Sequence, residues 1–216
     1  MPRSVSRRER TPERRPSPFR RVPKRAFIIH GYLSHPEEAW LPWLKAQLEA
    51  RGYAVSLPSM PHPDRPVISE WIGFIANLVG EPDDRTVLIG HSLGCQGVLR
   101  YLETLGAAGK SVAKTVLVAG IFPTGMPPEE ADAETGGNPV LDPWFSEGLD
   151  PAKVKKAAGN CTVILSDNDP FIGLDRAKAV FRLTLDPRII VEPGHGHFNE
   201  DDRLVELPSA LAAVIS

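Results

Sequence analysis

The stretch that decides the fold is "TVLIGHSLGCQGVLRYL", residues 86–102. Its first four residues form an apolar run that is typical of a buried strand. From Leu93 onward apolar residues recur at helical spacing, and Ser92 stands between Gly90 and Gly94. A sharp turn from strand to helix leaves no room for Cβ atoms two positions on either side of its central residue. The stretch therefore predicts a strand, a tight turn that exposes Ser92, and a helix.

Short apolar runs recur along the rest of the chain and alternate with segments of helical periodicity. The predicted strands lie at residues 26–30, 54–57, 86–90, 113–120, 161–166 and 188–192. The predicted helices lie at residues 42–51, 68–79, 93–105 and 174–182, and a short helix follows Asp150. This alternation implies a parallel sheet with helices on both faces. We predict an α/β fold, a three-layer sandwich around a central parallel sheet of about six strands.

Length and charge suggest one domain with a basic tail. The 216 residues are 42% hydrophobic, which suits a single core. Residues 1–25 hold ten of the 25 Lys and Arg and two of the 27 Asp and Glu, so their net charge is +8 and that of the remainder is −10. We predict that this Arg- and Pro-rich tail is disordered and that the domain spans residues 26–216. Nucleic acid is disfavoured as a partner, because Phe19 is the tail's one aromatic residue.

Cysteine usage and hydropathy bear on the compartment. Cys95 and Cys161 have no C-x-x-C spacing, and the N-terminus lacks the apolar core of a signal peptide. The longest apolar runs are too short to cross a membrane. We therefore expect a cytoplasmic protein without a membrane segment.

Two later motifs supply the partners that a nucleophilic serine needs. A serine hydroxyl is activated by a histidine that a carboxylate orients, in the chain order serine, acid, histidine for this architecture. "SDNDPFI" follows a predicted strand and contains Asp167 and Asp169, and "EPGHGHF" follows the next and contains His195 and His197. Asp169 lies further past its strand and so has the better reach to a histidine on the neighbouring loop, but Asp167 remains the alternative acid. For the base, His195 and His197 are both candidates. His-x-His without a third histidine nearby is an incomplete metal site, so we expect no metal or other cofactor.

The motifs together resemble the small α/β-hydrolase-fold serine hydrolases of the retinoblastoma-binding protein nine family, over about residues 26–216. The likeness is carried by "GHSLG", "MPHPDRPVISEW", "SDNDPFI", and "GHF" with "NE" after it. In that family the acid directly precedes a proline and an apolar residue, and the base directly precedes a phenylalanine. The resemblance implies Ser92 as nucleophile, Asp169 as acid and His197 as base, with strand order 2-1-3-4-5-6. Asp167 and His195 are then expected to brace their loops.

Enzymes of this fold bind the oxyanion of the tetrahedral intermediate with two backbone N–H groups. One belongs to the residue after the nucleophile, here Leu93. His30 and Gly31 look like the His-Gly pair that opens the loop after the first strand, which puts the N–H of Tyr32, or alternatively Leu33, at the site. For His30 itself a loop-bracing hydrogen bond is favoured over proton transfer.

The segment after the fourth predicted strand bears on how a substrate would be bound. Residues 121–149 have too little apolar periodicity for a cap domain. Four aromatic residues are candidates for a substrate pocket, with packing in the core as an equal alternative: Phe122, Trp144, Phe145 and Phe171.

The serine, acid and histidine motifs, in that order along the chain, predict a serine hydrolase that acts through an acyl-enzyme intermediate on small carboxylic esters. The alternatives are an amidase, thioesterase or acyltransferase with the same triad, or a module that keeps the fold and binds an unidentified protein.

Overall fold

The structure, a computed structural model, describes residues 22–127, 129–130 and 136–216. The predicted tail lies outside the described residues except for its last four. Arg25 already belongs to the first strand, where its backbone pairs with Ala54 and Thr86. Its guanidinium donates to the carbonyl oxygens of Val79 at 2.9 Å and Glu81 at 2.7 Å. Arg25, one residue before the predicted start of the domain, is therefore tied to the fold by both its backbone and its side chain.

Across the residues that the structure describes, six strands form one sheet: β1 (Arg25–Ile29), β2 (Ala54–Ser56), β3 (Thr86–His91), β4 (Lys114–Val118), β5 (Asn160–Ser166) and β6 (Arg188–Glu192). Every neighbouring pair is parallel, and the order is β2-β1-β3-β4-β5-β6. Both the parallel sheet and the strand order are confirmed. Because all strands run the same way, the loops that follow them meet at one edge of the sheet.

Helices lie between the strands and after the last one: α1 (Leu41–Glu49), α2 (Ile68–Val79), α3 (Leu93–Ala107), α4 (Asp142–Ser146), α5 (Pro151–Ala157), α6 (Leu174–Thr184) and α7 (Pro208–Ile215). A 3₁₀ turn spans Glu200–Asp202. The predicted helices are present, α2 with its predicted bounds. The helices α4 and α7 have no counterpart in the sequence-based prediction.

The two faces of the sheet are covered by separate apolar clusters. In β1, Phe27 and Ile29 belong to a cluster that includes residues of α2, α3, α5 and α6, whereas Ala26 and Ile28 belong to one that includes residues of α1 and α7. Successive strand residues thus bury opposite faces, as the pleat requires. The three-layer sandwich is confirmed.

The connection from β4 to α5 matters because lids are often inserted there. It holds α4, which is fastened to α3 because Arg100 Nη2 donates to the carbonyl oxygens of Trp144 at 2.9 Å and Glu147 at 2.8 Å. Across the described part of the chain there is no separate cap domain, as predicted. Within that same part, no helix has the length and apolar character to cross a membrane.

Candidate active site

Ser92 sits on a tight turn at the carboxyl end of β3. Its backbone has φ 52° and ψ −123°, a left-handed conformation that is uncommon outside glycine. A Cβ on Gly94 would lie 2.2 Å from the carbonyl oxygen of Ile29, and a Cβ on Gly90 would lie 2.7 Å from the backbone of α3. Gly94 therefore lets the turn pack against β1, Gly90 lets α3 begin close to β3, and Ser92 remains at the edge where the loops meet.

Ser92, His197 and Asp169 form a continuous chain of hydrogen bonds. The distance from His197 Nε2 to Ser92 Oγ is 2.8 Å, and His197 Nδ1 lies 3.0 and 2.9 Å from the two carboxylate oxygens of Asp169. Because a carboxylate only accepts, Nδ1 carries the proton and Nε2 is free to accept from the serine hydroxyl. The Asp169 side chain is 2% exposed and that of His197 10%. This arrangement is able to take a proton from Ser92 in a site largely shielded from water.

The loop that carries Asp169 also holds the carboxylate of this residue in place. Oδ1 also accepts from the backbone N–H groups of Phe171 at 2.9 Å and Ile172 at 3.0 Å. The ring of Phe171 meets the His197 ring edge-on, with 4.9 Å between the ring centroids. The carboxylate and the imidazole are therefore both held in orientation before any substrate binds.

The alternative acid and base make other contacts. Asp167 Oδ1 accepts from the N–H of Gly194 at 2.8 Å and so ties the acid loop to the histidine loop. His195 Nδ1 donates to the carbonyl oxygen of Pro193 at 2.9 Å. Neither side chain has a hydrogen bond to Ser92 in the described structure, and both brace the loop that carries His197.

His91, directly before Ser92, supports the histidine loop from within the protein. Its Nε2 donates to the carbonyl oxygen of His197 at 2.9 Å, and the residue is 2% exposed. Burial, followed by the nearby His197, lowers the pKa of His91 to about 4, so the ring is neutral at physiological pH. Sequence reasoning missed this residue, although a histidine ending an otherwise apolar strand was a usable signal.

The loop after β1 runs against Ser92. A Cβ on Gly31 would lie 2.9 Å from the Cβ of Ser92, so this glycine allows the close approach. The N–H of Leu33 donates to the carbonyl oxygen of Pro63 at 2.9 Å, whereas the N–H groups of Tyr32 and Leu93 make no such backbone bond among the described residues. Tyr32 and Leu93 thus offer two N–H groups beside the serine.

His30 braces this loop. Its Nε2 accepts from the N–H of Met60 at 2.9 Å, which leaves the proton on Nδ1 to be donated to the carbonyl oxygen of Gly31 at 3.0 Å. Burial lowers the pKa of His30, consistent with a neutral ring. Both of its nitrogens are engaged by backbone groups, so the side chain is occupied in holding the loop.

A cavity of about 580 Å³ opens beside Ser92. Of the four predicted pocket residues, Phe145 and Phe171 line it. Phe122 and Trp144 do not, which corrects the prediction, because both are fully buried in the core. The Trp144 ring packs edge-on against Trp71 at 5.3 Å between centroids, and its Nε1 donates to the carbonyl oxygen of Pro66 at 3.1 Å.

Other lining residues escaped the sequence reasoning. Asn138 Nδ2 donates to the hydroxyl of Tyr32 at 3.2 Å across one part of the wall. Gln96 stands one helical turn after Ser92, a spacing that would have revealed it, whereas Glu38 lies in a loop without any motif. Among the residues with described positions, no group of three or more His, Cys, Asp or Glu could hold a metal ion.

A parallel sheet with a serine on the turn after β3, and an acid and a histidine on later loops, defines the serine hydrolases of the α/β-hydrolase fold. The family model for serine hydrolases matches residues 26–215, and the chain belongs to this family. YdeN of Bacillus subtilis (strain 168) is 30% identical over 185 residues, which cover 86% of this chain and 91% of YdeN. The serine hydrolase RBBP9 of Rattus norvegicus is 27% identical over 186 residues, with 83% and 90% covered.

Solved structures agree with this assignment. The ydeN gene product of B. subtilis superposes with a TM-score of 0.74 at 28% identity, over 88% of this chain and 95% of that one. Est1E of Butyrivibrio proteoclasticus, solved with ferulic acid bound, gives a TM-score of 0.64 at 16% identity over 89% and 86%. At this low identity, the likeness to Est1E shows only that the two proteins share a fold.

Proposed function

We propose that this serine hydrolase cleaves small carboxylic esters through an acyl-enzyme intermediate on Ser92. The observation that carries the proposal is the hydrogen-bond chain from Asp169 through His197 to Ser92 Oγ. Ser92 Oγ attacks the ester carbonyl while His197 Nε2 takes its proton, and Asp169 stabilises the resulting imidazolium. His197 then protonates the departing alcohol. Water, deprotonated by His197, hydrolyses the acyl-serine and regenerates the hydroxyl.

The N–H groups of Leu93 and Tyr32 bind the oxyanion in this scheme. Two donors beside the nucleophile stabilise the negative charge that develops on the carbonyl oxygen. Leu33 is the weaker candidate for the second donor, because its N–H already donates to Pro63.

The cavity supports a small substrate. Its volume of about 580 Å³ lies in the range of pockets that bind small molecules. Phe145, Phe171 and Ile172 give it an apolar side on which an acyl chain can pack. A short ester satisfies both the size and this apolar wall.

Labelling with a fluorophosphonate probe, together with turnover of p-nitrophenyl butyrate, tests the proposal. Wild type should be labelled and active, Ser92→Ala should lose both properties, and the exposed Ser111→Ala should keep both. An amide and a thioester of the same acyl group, assayed in parallel, identify the preferred leaving group. Absence of labelling and of turnover in folded wild type would favour the alternative, a binding module that retains the fold.

A further inference from the structure

Four side chains that line the cavity each hold a buried polar atom without a hydrogen-bond partner in the described structure. These atoms are Ser34 Oγ, Glu38 Oε2, His91 Nδ1 and Gln96 Oε1. His91 and Gln96 are 2% exposed and Ser34 is 8% exposed, so bulk water does not readily satisfy them. Buried polar atoms are almost always paired, and their concentration around one cavity points to groups that a ligand supplies.

Three of these four atoms can only accept a hydrogen bond, whereas the Ser34 hydroxyl can also donate. The Glu38 carboxylate and the Gln96 carbonyl oxygen have no hydrogen to donate. His91 donates from Nε2 to the carbonyl oxygen of His197, so its Nδ1 presents a lone pair. A plain alkyl ester contains only acceptors and leaves all three unmet. The cavity therefore calls for a ligand that brings N–H or O–H donors.

The acidic and basic side chains that line the cavity, among those with described positions, all carry negative charge. Glu38, Glu200 and Asp201 line it, and no lysine or arginine lines it among the residues that the structure describes. His35 Nε2 lies 3.8 Å from Glu200 Oε1, but both side chains are more than half exposed, so this pair offsets the negative charge only weakly. The resulting potential attracts a cation and repels an anionic substrate.

We infer that the preferred substrates are esters that carry a primary ammonium group, with Glu38 as its principal acceptor. An ammonium supplies three N–H donors and no acceptor, and its charge complements the carboxylates. The inference rests on the proposed esterase function and adds its substrate class. The ammonium group itself takes no part in the bond changes, which remain attack by Ser92, departure of the alcohol and hydrolysis of the acyl-serine.

Two pairs of esters test the inference, each pair exchanging ammonium for a methyl group of similar size. Benzyl 3-aminopropanoate is compared with benzyl butanoate, and 4-(aminomethyl)benzyl butanoate with 4-ethylbenzyl butanoate, by kcat/KM from release of the alcohol. The first pair places the charge on the acyl side and the second on the alcohol side. We expect the ammonium ester to be preferred about tenfold or more in one pair, the scale of a charge-assisted hydrogen bond. Ratios near one in both pairs would overturn the inference.

Variants assign the effect to Glu38. In Glu38→Gln the ratio within the preferred pair should fall toward one, whereas Glu37→Gln, which removes the same charge from a neighbouring residue that does not line the cavity, should keep it. A preference that survives Glu38→Gln in a protein with native circular dichroism would also overturn the inference.

The neutral esters separate this inference from the proposed function. If they are hydrolysed as fast as the ammonium esters, the esterase stands and only the substrate class is wrong. If no ester is hydrolysed and the fluorophosphonate does not label Ser92, the proposed function fails and this inference falls with it.

Discussion

At the scale of single residues, Ser92 and His197 share one proton and are expected to act as a unit. Ser92→Ala and His197→Ala should each lower kcat for p-nitrophenyl butyrate by about 10³-fold or more, because either change stops proton transfer from the hydroxyl. The double variant should be little worse than either single one. Circular dichroism must first show that all three proteins fold. Losses that multiply in the double variant would mean that the two side chains work independently.

The two aspartates of the acid loop are expected to differ sharply. Asp169→Asn should reduce kcat by about 10³-fold or more, because an amide stabilises the imidazolium poorly and favours the wrong tautomer of His197. Asp167→Asn should cost about tenfold or less, since an amide oxygen can still accept from the N–H of Gly194. The same ester assay compares both variants. If Asp167→Asn proves the more damaging, the assignment of the acid is wrong.

At the scale of elements, the turn between β3 and α3 depends on the absence of one Cβ. Gly94→Ala would place a Cβ 2.2 Å from the carbonyl oxygen of Ile29, a backbone atom that cannot move aside. We expect a loss of about 2–3 kcal/mol in the free energy of unfolding, together with most of the activity, because the turn must shift. Urea unfolding measures the loss.

A matched glycine gives the control for that prediction. Gly73 lies within α2, and a Cβ there would have nothing within 4 Å. Gly73→Ala should therefore leave stability unchanged or raise it by about 0.5–1 kcal/mol, as alanine does inside a helix. Equal destabilisation by the two substitutions would show that crowding at the turn is not the cause.

The elements also show what local sequence encodes. The bounds of α2 were predictable because Trp71, Ile75 and Val79 repeat at helical spacing and bury one face. The helix α7 was not, since its sequence "PSALAAVI" is short and rich in small residues, and its stripe becomes evident only where it packs on β4 and β5. The five-residue α4 is held by Arg100, a contact between residues more than 40 positions apart in the chain.

The candidate site also has a part that the local sequence encodes and a part that depends on tertiary contacts. The order of the serine, acid and histidine motifs could be read along the chain, whereas the choice of Asp169 over Asp167 and of His197 over His195 came from the family resemblance. The pocket could not be predicted, because the adjacent aromatic residues Trp144 and Phe145 differ in position: Trp144 is buried in the core, whereas Phe145 lines the cavity. Which of them faces the cavity depends on how α4 is seated on α3 and on Trp71, which is set by tertiary contacts.

At the scale of the whole molecule, buried His91 makes stability depend on pH. The pKa of an unfolded histidine is about 6.5, and burial lowers that of His91 to about 4. Below pH 6.5 the unfolded chain binds the proton more readily, so the stability present above pH 6.5 falls until about pH 4. Thermal unfolding between pH 7 and 4.5 should show a smaller decline for His91→Gln than for wild type. Buried His30, whose pKa is also lowered, keeps a residual dependence in that variant. Equal slopes would contradict this role for His91.

The position of β6 at the edge of the sheet has a consequence for how the enzyme fails. Within the described part of the chain β6 pairs with β5 alone, and the loop after β6 carries His197, whereas Ser92 follows the central strand β3. Local unfolding of the edge strand β6 separates the base from the nucleophile while the middle of the sheet stays intact. Inactivation should therefore precede global melting: in rising urea, ester turnover should vanish before far-UV ellipticity changes, and the amides of β6 should exchange with deuterium sooner than those of β3. Coincident transitions would show that the edge strand and the centre open together.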